Sequence, residues 1–281
     1  VAAARLGTPS AVAAAVGDDP FGRALVAELA RAGVDVEGVE HVPRPTAVAF
    51  VALAEGGERG FMFYGEDPAH DHLSPERAVA AVGRLSAAPG ARCLHFGSVC
   101  LAREPARSAT AAAIAAARAA GCLVSCDVNL RESFWADLDE ARDVIRRFAS
   151  EADLVKAGEE EAAFLAGEGG EPERRFVDGL LGGRARLVVV SRGARGATAH
   201  AGRLTVDASP PAVASVDTTG AGDALTGALL DATLRAPDAW DDEASARAAL
   251  ERACAYAALS TTRRGAIPSY PTAAELAAFL G

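Results

Sequence analysis

Asp223 ends the string D-T-T-G-A-G-D, residues 217–223, and is the carboxylate whose surroundings point most directly to chemistry. Gly220 and Gly222 let the backbone bend closely around an anion. The N–H groups of Ala221, Gly222 and Asp223, at the start of an expected helix, would face that anion with the helix dipole behind them. Such a nest suits the negative charge that builds on a transferring phosphoryl group. A carboxylate at the same helix start would accept a hydroxyl proton as the oxygen attacks phosphorus. The string is not a Walker A loop, since it has no G-K-[ST] and no Lys after the glycines. The plainer alternative is a capped helix start. G-A-G alone would be ordinary in that role, whereas the whole seven-residue string is more specific.

Other groupings carry less. Asp127, Asn129 and Arg131 end an apolar run, where a guanidinium would pair with a phosphate or a sugar hydroxyl, or else form a surface ion pair. S-R-G-A-R-G, 191–196, reads by itself as a tight turn between strands, and K-A-G-E-E-E, 156–161, as a solvated acidic run. His70, His72 and His95 form no triad with a Ser or Cys nucleophile. Cys122 and Cys126 lie four apart with no further ligand at metal spacing, so they read as small buried residues.

These groups need elements to position them, and the chain alternates strand and helix. Strands are expected at 11–16, 92–97, 122–128, 153–156, 187–191 and 213–216, the last leading into D-T-T-G-A-G-D. Helices are expected from Asp18-Asp19-Pro20 to about Ala32, and from Ser74-Pro75 onward. Others should cover about 104–120, 137–148, 221–234, 243–261 and 272–280. Two β-prone runs, Thr46–Ala54 and Arg59–Tyr64, flank E-G-G-E and should make a hairpin that breaks the alternation. The α/β rhythm predicts a mostly parallel sheet covered on both faces, with ligands at the C-terminal strand ends. No linker divides the chain, so residues 1–281 read as a single domain with an insertion at about 42–66.

Composition narrows the class. The 281 residues are 50% hydrophobic and 23% charged, enough for one large core. A net charge of -10 without a basic block argues against nucleic acid or an anionic membrane as partner. No apolar run spans a bilayer, and V-A-A-A-R-L-G lacks a signal's basic start. Five scattered cysteines fit a reducing cytoplasm.

D-T-T-G-A-G-D followed by A-L-T-G resembles the C-terminal signature of the PfkB/ribokinase family of carbohydrate kinases. V-G-D-D-P-F-G at 16–22, H-F-G-S at 95–98, D-V-N-L-R at 127–131, V-S-R-G-A-R-G at 190–196 and R-R-G-A-I-P at 263–268 have family counterparts in the same order. The branch most resembled is the bacterial fructokinases, through D-x-N-x-R and G-A-I-P-S-Y-P-T.

The resemblance implies a ribokinase-like three-layer α/β/α fold with a small β lid. It implies an ATP- and Mg2+-dependent kinase acting on a primary hydroxyl of a small sugar, fructose first. Other acceptors are 2-keto-3-deoxygluconate or a nucleoside, and a non-catalytic sugar- or nucleotide-binding regulator is a further alternative. Gly220, Ala221, Gly222 and Asp223 would be anion hole and base, with Arg131 beside them. Ser191, Gly193 and Gly196 would lie near ATP, as would Lys156. Glu161 would act on Mg2+ through water, although Gly158 stands where the family has Asn or Ser. Asp217 and Thr219 resemble positions of a monovalent-cation (K+) site found in part of the family, or shape the turn. Phe61 and Phe63 would face the sugar or form lid core, and lids pair in homodimers of many relatives. The family's opening strand, its sugar-binding Asp and its G-G-x-x-x-N segment have no match here, so the biological protein is expected to be longer.

Overall fold

The computed structural model describes residues 1–53, 59–64, 67–167 and 169–281, with the backbone alone at 51–53 and 59–64. Ten strands are described: β1 Ser10–Gly17, β2 Val34–Val42, β3 Val48–Leu53, β4 Arg59–Tyr64, β5 Cys93–Gly97, β6 Leu123–Asp127, β7 Leu154–Gly158, β8 Leu187–Ser191, β9 Ala197–Ala201 and β10 Leu204–Ala208. The α-helices are α1 Ala2–Leu6, α2 Pro20–Arg31, α3 Pro75–Ala87, α4 Ala106–Ala119, α5 Leu138–Ala149, α6 Glu159–Ala166, α7 Pro172–Leu181, α8 Ala221–Arg235, α9 Glu243–Ser260 and α10 Ala273–Leu280.

Helix starts follow local chemistry. Asp19 caps α2 by accepting from Gly22 N at 2.8 Å, and Pro20 opens the first turn. Ser74 caps α3 in the same way, ahead of Pro75.

Six strands form the main sheet in the order β10-β9-β8-β7-β6-β5. β5 to β8 run parallel, while β9 and β10 turn back antiparallel at one edge. Alternation along β8 shows why the sheet holds two helix layers. Val188 and Val190 enter a core with α3 to α7, and Leu187 and Val189 enter a second core with α1, α8, α9 and α10. Val188, Val189 and Val190 are fully buried, each stabilising the fold by roughly 1.5–3 kcal/mol. The result is a three-layer α/β/α sandwich, as expected.

β1 and β2 pair in parallel as a separate two-stranded unit. Between β1 and the outer edge of β5 lies a slot of about 510 Å³, lined by Ser10–Ala13, by Cys93–Gly97 and by apolar side chains of α3 and α4. β3 and β4 form the expected antiparallel hairpin, with Val48 opposite Tyr64 and Leu53 opposite Arg59. Its turn and the side chains of Phe61 and Phe63 lie outside the described residues.

Two expectations need correction. No strand forms at Val213–Val216: Pro210 and Pro211 precede it without donors, and Val216 N and Asp217 N both donate to the Thr261 carbonyl (2.8 and 3.0 Å). D-T-T-G-A-G-D therefore follows an irregular segment tied to the end of α9. Second, Val34–Val42 and the pair β9/β10 are strands that hydrophobic pattern did not suggest, so the sheet is less uniformly parallel than the alternation implied. Among the described residues no helix is long and apolar enough to cross a membrane.

Candidate active site

Gly220 is the N-cap of α8 at φ 76°, in the left-handed region open to glycine. A Cβ there would lie 2.6 Å from Tyr270 Oη and 2.9 Å from Ala266 Cβ, so both backbone and space require glycine. The turn is fastened by Asp217, whose Oδ1 accepts from Thr219 N and Oδ2 from Gly265 N, both at 2.9 Å. Asp217 and Thr219 thus shape the turn.

Ala221 N donates back to the Thr218 carbonyl at 3.2 Å, which corrects the expectation of three free donors. The left-handed Gly220 folds the chain so that this N–H points inward. Gly222 N and Asp223 N, in the first turn of α8, have no intrahelical acceptor and remain aimed outward.

Asp223 stands at the mouth of this turn. Enclosure by surrounding protein raises its carboxyl above the usual range, and the Asp127 charge raises it further. Lys156, Arg131 and the amino group of Val1 pull it back down. Asn129 Nδ2 approaches Asp223 Oδ1 at 3.5 Å. Asn129 does so from φ 36°, a left-handed conformation uncommon for a side-chain-bearing residue and typical of functional loops. Arg131 is exposed, hydrogen-bonds only to the Leu130 carbonyl and makes no ion pair among the described residues.

Behind the turn, Lys156 Nζ lies 3.1 Å from Asp127 Oδ1, both side chains buried. Thr226 Oγ1 donates to Asp127 Oδ2 at 2.7 Å. Sequence reasoning singled out Lys156 and Asp127 but missed Thr226 and Tyr270. The signal for Thr226 was a hydroxyl on the inward face of α8, one turn after Asp223.

Opposite the turn, Gly193 (φ 56°) and Gly196 (φ 95°) shape the loop after β8. A Cβ on Gly196 would fall 2.0 Å from the Ala208 carbonyl oxygen. The loop's two arginines are committed elsewhere: Arg192 to Glu173 (2.6 Å) and Thr198 (2.6 Å), Arg195 to Glu159. Ser191, Gly193 and Gly196 share with Ala221 and Gly222 a cavity of about 460 Å³, completed by Pro211, Val213 and Thr261. The expected nucleotide loop and the helix start thus line one site.

Glu161 sits in the first turn of α6, where its oxygens accept from Leu130 N (2.8 Å) and Gly158 N (2.6 Å). Among the described residues no cluster of three His, Cys, Asp or Glu side chains could hold a metal directly. His95 lines the slot beside β1, with Nδ1 3.0 Å from Ser125 Oγ. His72 pairs with Asp67 at 2.5 Å and His70 lies 3.4 Å from Asp71.

The chain is similar in sequence and in fold to known proteins. Fructokinase-1 of Zea mays is 40% identical over 279 residues, covering 98% of this chain and 84% of its own. The fructokinase of Vibrio cholerae O395, solved with fructose, ADP and calcium, superposes with a TM-score of 0.88 at 36% identity, over 100% of this chain and 88% of that one. A double-mutant form of that enzyme holds fructose, ADP and potassium. A ribokinase II of E. coli in complex with ATP and Mg2+ superposes with a TM-score of 0.86 at 28% identity, over 99% and 85% of the two chains. The model of the pfkB family of carbohydrate kinases matches residues 1–273, which takes in both walls of the cavity and the Asp223 turn, and the chain belongs to that family.

Proposed function

We propose that this chain transfers the γ-phosphoryl group of ATP to a primary hydroxyl of fructose. The observation that carries the reading is Asp223 beside the outward N–H groups of α8, at the edge of a cavity shared with the Ser191–Gly196 loop. The adenosine would pack between Pro211, Val213 and Thr261, and its phosphates would point toward Gly222. Fructose as acceptor follows from the names and ligands of the maize and Vibrio relatives.

In the reaction the sugar oxygen forms a bond to the γ-phosphorus, and the bond from that phosphorus to the β–γ bridging oxygen breaks. The electron pair leaves with ADP, and the hydroxyl proton passes to Asp223. A carboxyl raised above its usual range is a stronger proton acceptor once ionised, which suits this task. The N–H groups of Gly222 and Asp223 stabilise charge on the phosphoryl oxygens as it develops. Arg131, lacking an acidic partner among the described residues, is available to the phosphates.

Mg2+ fits this donor set indirectly. Both Glu161 oxygens already accept backbone N–H groups, so Glu161 would meet the ion through coordinated water, as Mg2+ commonly allows. When bound, the ion neutralises charge on the nucleotide phosphates. Asp217 and Thr219 remain the candidates beside a K+ site. Five free thiols accord with a reducing compartment.

ADP release across a panel of fructose, 2-keto-3-deoxygluconate and nucleosides tests the reading. Fructose should turn over, and Asp223→Asn should lower kcat by about 10²- to 10⁴-fold. Full rate in the variant would remove Asp223 as base. Turnover of another panel member alone would change the acceptor, and ATP binding without turnover would point to a regulator.

A further inference from the structure

β6 and β7 pair in register with Asp127 beside Lys156. Val124 and Cys126 of β6, and Val155 and Ala157 of β7, enter the core shared with α3 to α7. Strand alternation therefore turns Asp127 and Lys156 to the other face, toward α8. Their side chains keep 4% and 7% of their exposure. A buried ion pair is a costly filler, because apolar residues of similar volume usually do as well or better there. Its neighbours on the strands are apolar or small, so the pair calls for a role in which charge itself matters.

The geometry supplies one. Asp127 divides its carboxylate, one oxygen on Lys156 Nζ and the other on Thr226 Oγ1. Thr226 lies one turn after Gly222 and Asp223 on α8. A Cβ added at Gly222 would sit 3.3 Å from Lys156 Nζ, so the ammonium rests directly behind the helix start. We propose that Asp127 holds Lys156 as a fixed cation behind the anion-binding turn, and that Lys156 is a positioning residue for phosphoryl transfer and not a nucleotide contact. The inference rests on the reading of Asp223 as base and of this turn as the phosphoryl site.

A cation in a low-dielectric position strengthens the hold of the Gly222 and Asp223 N–H groups on developing negative charge. The same pair acts on Asp223 with opposite signs: the Asp127 charge raises its carboxyl and the Lys156 charge lowers it. The other groups facing Asp223 are Arg131 and the Val1 amino group, which lower it, the neutral Asn129 amide, and the Tyr270 hydroxyl. Burial raises the Tyr270 hydroxyl's own pKa, so it stays protonated.

The sign of the test follows. A base must be ionised, so a raised Asp223 pKa moves the acid limb of the kcat profile to higher pH. Lys156→Gln removes a charge that lowers it but keeps a donor for Asp127, and should move the limb up. Asp127→Asn removes a charge that raises it but keeps an acceptor for Lys156, and should move the limb down. The double variant replaces the ion pair by two amides. Its limb should lie between those of the two single variants, because the two charges act in opposite directions. In Lys156→Gln and in the double variant kcat should fall about 10- to 100-fold with the KM for ATP nearly unchanged.

The experiment is kcat and KM for ATP and fructose against pH in the full chain, with thermal unfolding of each variant. A rise in the KM for ATP at constant kcat would make Lys156 a nucleotide contact and overturn the proposal. Limbs that stay fixed, or move the same way in both single variants, would also overturn it. If Lys156→Gln does not fold, the double variant, free of an orphaned charge, carries the kcat test. Asp223→Asn separates the layers: full rate there refutes the underlying base assignment. An inactive Asp223→Asn alongside unmoved limbs refutes this inference alone.

Discussion

The two walls of the cavity are built on different physics. The α8 wall rests on charge: a helix start with outward N–H groups, a buried Asp127–Lys156 pair behind it and Asp223 in front. The β8 wall rests on backbone shape. Gly193 and Gly196 hold left-handed conformations, and both local arginines are tied to acids instead of facing the cavity. On the proposed reading, the wall facing the reacting phosphoryl group carries ionic groups, whereas the wall facing the rest of the nucleotide carries surface without charge.

If that contrast holds, the two walls should break in different ways. The largest effect should come from Gly196→Ala. Its Cβ would overlap the Ala208 carbonyl at 2.0 Å in a backbone conformation unfavourable to alanine, a loss of about 3 kcal/mol. Denaturant unfolding would register it, and the KM for ATP should rise more than kcat falls. Thr226→Val should cost less, about 1–3 kcal/mol, by leaving one Asp127 oxygen without its donor. Here kcat should fall while the KM for ATP holds, the reverse of the Gly196 pattern. Arg195→Ala should do least. It removes an exposed pair with Glu159, so stability should change by less than about 1 kcal/mol and the KM for ATP should stay constant. A marked rise in that KM would mean the β8 wall uses charge after all.

Much of the fold was legible because local chemistry and pattern agreed. L-V-V-V-S is apolar at every inward position, and Asp19-Pro20 and Ser74-Pro75 announce helices through a side-chain acceptor and a first-turn proline. β9 and β10 were missed because A-T-A-H-A and L-T-V-D-A mix small and polar residues, and their pairing with each other and with β8 decides their state. Val213–Val216 erred the other way. β-branched residues suggested a strand, but the paired prolines before it and the single carbonyl of Thr261 leave no ladder to join.

In the site, D-T-T-G-A-G-D was readable because its glycines and carboxylate are contiguous. The Asp127–Lys156–Thr226 contact was not, since it joins residues 29 and 99 apart and depends on strand register. A trace was present nonetheless: two ionic residues at inward positions of strands otherwise apolar or small.

The carbonyl of Thr261 lends the turn a further property. It accepts both Val216 N and Asp217 N, while Thr261 itself lines the cavity. Asp217 in turn reaches Gly265, and Tyr270 abuts Gly220. The Asp223 turn and the segment that ends α9 are thus tied together at several points. A ligand pressing on Thr261 presses on the residue whose carbonyl anchors the turn. A ligand there that orders the turn would, by reciprocity, be held more firmly by anything else that orders it.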